Sequence, residues 1–125
     1  METSLLHHLQ EEKAMRLKGG LYHTTQIKLA YNSNRIEGSK LSEEQTRYIF
    51  ETNTLSVAPN ETANVDDIIE TVNHFFCFDF MLDVAEKKLS KEMIKEFHRI
   101  LKSNTSDARK ERVNRFIKKR HGRFS

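Results

Sequence analysis

The chain has 125 residues, 37% of them hydrophobic and 31% charged, with a formal net charge of +3. That length suits one domain, and one Pro with four Gly excludes the frequent tight turns of an all-β fold. A lone cysteine, Cys77, excludes an internal disulfide; no apolar run nears the roughly 20 residues of a membrane span, and the start "METSLLHHLQEEK" lacks a signal peptide's basic and apolar regions, so the expected location is cytoplasmic, with no membrane partner.

Residues Ser4 to Lys18 predict a first helix with a partial stripe of Leu5, Leu9, Ala14 and Leu17, ended by Gly19 and Gly20 through a left-handed cap. A second helix is expected from Tyr22 or Thr24 to Glu37. Leu29 and Ile36 lie seven apart and Ile27 and Tyr31 four apart, on neighbouring stripes, and Gly38 closes the helix. Ser42 with Gln45 three residues on forms a capping box for a third helix, and Glu43 and Glu44 suit its first turn. After the loop holding Pro59, Ile68, Ile69, Val72, Phe75, Phe76, Phe80 and Val84 predict the wide apolar face of a central bundle helix. A fifth helix follows a Ser90 cap, with Met93, Ile94, Phe97, Ile100 and Leu101 at the same spacing, and Val113, Phe116 and Ile117 suggest a narrow stripe in a sixth. The expected fold is therefore all-α, a bundle of five to six helices with antiparallel neighbours.

Charge is uneven: Arg109 to Arg123 holds eight Lys or Arg against one Glu. Clustered cations bind phosphate arrays, so a small basic-tailed nucleic-acid-binding protein is one reading. The stretch lacks a docking motif, however, and a solvated terminal helix accounts for it better, so no nucleic-acid partner is expected. The six His include no pair spaced for zinc, Cys77 has no nearby base, and the glycine pair lacks the Lys and Ser or Thr of a phosphate loop. No metal, cofactor or catalytic residue is assigned to this chain. The unusual stretch is Asn32, Ser33, Asn34 and Arg35, polar residues where a packing helix carries Ala or Leu. Ser33 and Glu37 fall one turn apart, and Glu37 meets the negative end of the helix dipole, a place that suits a carboxylate best when an arginine from outside pairs with it. On pattern alone an ordinary amphipathic helix end explains the same residues.

"SNRIEGS", Ser33 to Ser39, resembles the inhibitory-helix signature of Fic-domain proteins: Ser or Thr, three residues, Glu, then Gly or Asn. "KLAYNSNRIEGSKLSEEQT" resembles the run from that helix into the next, and "LSKEMIKEFHRILKSNTSDARKE" the helix and turn that precede the catalytic core, so that most of residues 24 to 111 is covered. Fic enzymes usually transfer AMP from ATP to a protein hydroxyl. Their loop is His-Pro-Phe-x-Asp or Glu-Gly-Asn-Gly-Arg, in which His is the base, the acidic residue holds Mg²⁺ and glycine N–H groups meet phosphate. The resemblance implies that Glu37 is an inhibitory carboxylate for an arginine of that loop, that Ser33 is its partner on the helix face, and that Gly38 lets the chain turn away.

That loop is missing here: no Gly-Asn-Gly occurs, and "KRHGRF" only echoes it. The expectation is an N-terminal regulatory part of a Fic-type protein, truncated before the catalytic loop and unable to transfer AMP alone. ATP and Mg²⁺ would belong to the full-length family. The division expected is 1–20, an N-terminal helix; 21–111, the inhibitory-helix region; and 112–125, a basic tail that departs from the family. The alternative is an antitoxin-like inhibitor of a separate Fic enzyme. A Fic catalytic core in trans and self-association through uncovered helices are the partners expected.

Overall fold

The structure is a computed structural model that describes residues 4–106. It contains α1 (Leu5–Met15), α2 (Leu21–Ile36), α3 (Glu43–Thr52), α4 (Val65–Val84) and α5 (Lys91–Lys102), with no strand among the described residues. The fold is the all-α bundle expected. The stripe of Val113, Phe116 and Ile117 lies outside the described residues, as does the whole of the basic tail.

Short polar side chains set four of the five helix starts. Ser4 accepts from the N–H of His7, Ser42 from Gln45, Asn64 from Asp66 and Ser90 from Met93, each satisfying a donor that the first turn leaves orphaned. Ser42 and Gln45 make both bonds of the capping box. The exception is α2, capped from another helix: the Glu12 carboxylate of α1 accepts the Tyr22 N–H at 2.8 Å. Gly20, the residue ahead of α2, makes room for it, because a Cβ there would stand 2.5 Å from Glu12 Oε1.

The end of α1 differs from expectation. The helix stops at Met15, and Arg16, not Gly19, takes the left-handed cap at φ 53°. Leu17 N–H then reaches back to the Glu12 carbonyl at 3.1 Å. The early stop lets the chain bring Gly20 beneath Glu12, and Leu5 and Leu17 of the expected stripe stay exposed.

Central α4 packs against all four other helices. One cluster joins Leu9 of α1, Tyr22 of α2 and Phe78 and Leu82 of α4; the other joins Ala30, Leu41, Ile49 and Phe75. Phe50 bridges them, its ring 6.2 Å from Tyr22 and 4.8 Å from Phe75. The face of α4 is less purely apolar than its spacing suggests. Phe76 is 61% exposed while Asn73 is buried, because Asn73 Nδ2 donates to the carbonyls of Leu101 and Ser103 at the end of α5. Cys77 is buried, and burial pushes its thiol up.

Inside α2 the buried stripe runs Tyr22, His23, Gln26, Ile27, Ala30 and Asn34, leaving Leu29 and Ile36 exposed. Polar residues occupy this stripe because the neighbouring helices satisfy them. Gln26 Nε2 donates to Asp79 at 2.9 Å and to the Phe75 carbonyl at 3.2 Å, while His23 Nε2 sits 2.7 Å from Glu51. By contrast α5 leans mainly on α4, through Phe97 edge-on to Phe80 at 5.5 Å. No residue of α5 is fully buried.

Candidate functional site

The site marked by Ser33, Glu37 and Gly38 is the C-terminal end of α2. Two anchors hold it against α4. Asn34, buried, donates through Nδ2 to Thr71 Oγ1 at 3.2 Å, and the Thr71 hydroxyl donates in turn to the Asp67 carbonyl at 2.8 Å. Six residues on, the Lys40 N–H donates to the Asp67 carboxylate at 3.1 Å. Between these anchors the backbone reverses through Gly38 at φ +102°. Its N–H bonds the Arg35 carbonyl at 3.1 Å and the Ser39 N–H bonds the Asn34 carbonyl at 2.9 Å, the paired closure of a Schellman cap. Gly38 is therefore suited to its position by backbone geometry: residues with a Cβ rarely adopt that φ.

Glu37 is the residue that caps α2, at φ −85° and ψ 2°. Its side chain is exposed and makes no hydrogen bond or ion pair among the described residues. The nearest cation in sequence is occupied: Arg35 donates to the Tyr31 hydroxyl at 2.6 Å and lies over the Tyr31 ring. Glu37 does act at longer range on His74 of α4. Burial pushes the His74 imidazole down from its ordinary range, and the Glu37 carboxylate pulls it partly back. His74 is half-buried, as a structural histidine beside an apolar face would be.

Ser33 is half-buried one turn before Glu37, and no bond joins the two. Ile36, beside Glu37, is 87% exposed, the most exposed of the large apolar side chains among the described residues. An isoleucine that open, next to an unpaired carboxylate on an anchored turn, is a surface with an apolar and an anionic element side by side.

The four polar residues ahead of Glu37 thus divide. Asn34 is a packing residue and fixes the turn; Asn32 and Arg35 are exposed; Ser33 lies between. The anchoring role of Asn34 carries no local signal in the sequence, since its partner Thr71 is 37 positions away. The spacing that puts Asn34 four residues after Ala30 and seven after Ile27 is the one clue.

Among the described residues, no group of three His, Cys, Asp or Glu side chains is placed to hold a metal ion. No helix among the described residues is long and apolar enough to cross a membrane. No family model matches the chain, and neither does any curated protein sequence.

Proposed function

We propose that this chain is a regulatory element of the Fic type, which presents Glu37 to an arginine of a catalytic core and holds back AMP transfer. The observation that carries the reading is the unpaired Glu37 carboxylate on a turn fixed by Asn34, Gly38 and Lys40, with exposed Ile36 beside it. An exposed carboxylate beside an apolar contact suits bidentate capture of arginine at a partly desolvated surface, where a charge-assisted bond is strongest. The Fic loop motif does not occur in the sequence, so in this reading the core, with its ATP and Mg²⁺, comes from a partner chain. The incompletely covered stripe of α5, with Ile94 44% exposed, and Leu89 just ahead of the helix, 65% exposed, support a second area of contact with that core.

The test is binding of the purified chain to a Fic core lacking its own inhibitory helix, with Glu37→Gly as control. Micromolar or tighter binding that falls tenfold or more in the variant, about 1.4 kcal/mol, is the expected result. No binding, or binding indifferent to the substitution, removes the reading. Self-association through α5 is the competing use of the same face. Sedimentation decides it: a sharp monomer in the absence of the core excludes a second copy as the occupant.

A further inference from the structure

At the opposite end of α2, about 22 Å away by helical rise, lies a cleft of about 940 Å³. It is bounded by the end of α1, the α1–α2 connection, the N-terminal turns of α2, the end of α3 and the C-terminal half of α4. We propose that it binds a small anion carrying a flat ring, with the anionic group between Arg16 and Lys18 and the ring against Leu17 and Phe50.

The charge pattern selects the sign of the ligand. Every carboxylate of the cleft already has a hydrogen-bond or ion-pair partner within the protein, Asp79 through neutral donors. Asp79 accepts from the Tyr22 hydroxyl at 2.5 Å and from Gln26 at 2.9 Å; Glu51 meets His23 at 2.7 Å and Arg47 at 3.5 Å; Asp83 meets Lys13 Nζ at 2.9 Å. Arg16 and Lys18, which line the same cleft, make no ion pair among the described residues. The open valences of the cleft are therefore cationic donors, and they lie two residues apart on one connection.

Backbone conformation points the same way. Arg16 holds φ 53°, a left-handed position where glycine is the ordinary occupant, yet the residue there is the one that places a guanidinium at the cleft. The Phe50 ring is held from behind, edge-on to His23 at 5.3 Å and to Tyr22 at 6.2 Å, and both of those residues are buried. Leu17, 43% exposed, lines the cleft and adds apolar surface to it. The lining is mostly polar and charged, and Leu17 and Phe50 give it an apolar side where a ring can rest.

The probe is phenyl phosphate, titrated into the full chain and followed by calorimetry and amide shifts, with inorganic phosphate as comparator. The expected result is saturable binding that shifts Tyr22, His23 and Phe50, exceeds that of inorganic phosphate, and weakens tenfold or more in Arg16→Gly with Lys18→Ala. Arg16→Gly relieves the left-handed residue and Lys18 is exposed, so the melting temperature of the double variant stays at or above that of the parent, and lost binding cannot be put down to unfolding. The proposal is overturned by absence of saturable binding, by equal binding of inorganic phosphate, by insensitivity to the double substitution, or by shifts centred on Arg109 to Arg123 instead. None of these outcomes depends on Glu37.

Discussion

The two ends of α2 solve opposite problems with similar residues. At the N-terminal end Tyr22, His23 and Gln26 are polar yet buried, each matched by a partner from α4 or α3. At the C-terminal end Ile36 is apolar yet exposed, and Glu37 is charged yet unpaired. The first end spends its polar groups on holding three helices together. The second, once Asn34 has fixed its direction, leaves an apolar and an anionic group without partners inside the chain. Within one helix, then, stability and availability for contact are separated by about three turns.

The sharpest way to break this comparison is to remove the same side chain from each end. Ile27→Ala, at a fully buried position, is expected to cost about 2–5 kcal/mol, whereas Ile36→Ala stays within about 0.5 kcal/mol. Urea unfolding measures both, and similar losses would mean that Ile36 is packed in solution.

Tyr22→Phe tests the buried polar network next. It takes a donor from Asp79 and leaves that carboxylate with Gln26, a loss of about 1–3 kcal/mol. Burial, then the hydrogen bond to Asp79, pushes the Tyr22 phenol above its ordinary value of 10.0. The unfolded chain therefore gives up this proton first, so parent stability falls as pH rises above 10, and Tyr22→Phe lacks that part of the decline.

Gly38→Ala probes the turn itself. A Cβ at φ +102° meets no neighbouring atom, so the cost is backbone strain alone, about 1 kcal/mol, read as a lowered melting temperature. A larger loss would reveal packing around Gly38 that the turn does not show.

The smallest effect links the exposed end of α2 to α4. His74 is pushed below its ordinary 6.5 by burial, so the unfolded chain takes up that proton first. Stability falls as pH drops below 6.5 and levels off below the depressed value; His74→Gln removes that dependence. Glu37→Gln takes away the one influence that raises His74, so its imidazole titrates lower still, as ring-proton shifts report. An unchanged titration would place Glu37 further from α4 than the anchors imply.

Helix existence, order and most starts were legible in the residues, because caps and apolar spacing are local chemistry. Ser42 with Gln45, Ser90 before Met93, and Gly38 after Ile36 each act within a turn or two of their own position. The centrality of α4 was legible too, since a wide apolar face has to be covered from several sides. The end of α1 was not: glycines at 19 and 20 look like a terminator, but the cap falls on Arg16 so that Gly20 can pass under Glu12.

Burial was the least legible property along α2. Spacing marks Leu29 and Ile36 as readily as Ile27 and Ala30, and nothing local says that Gln26 goes inside and Ile36 stays out. That choice depends on Asp79, Glu51 and Thr71, 28 to 53 positions away, which arrive as hydrogen-bond partners only when α3 and α4 fold back. Periodicity states which residues share a face. Which face is covered, and whether Glu37 is left without a partner, follows from the satisfaction of buried polar groups, and that is a property of the assembled bundle.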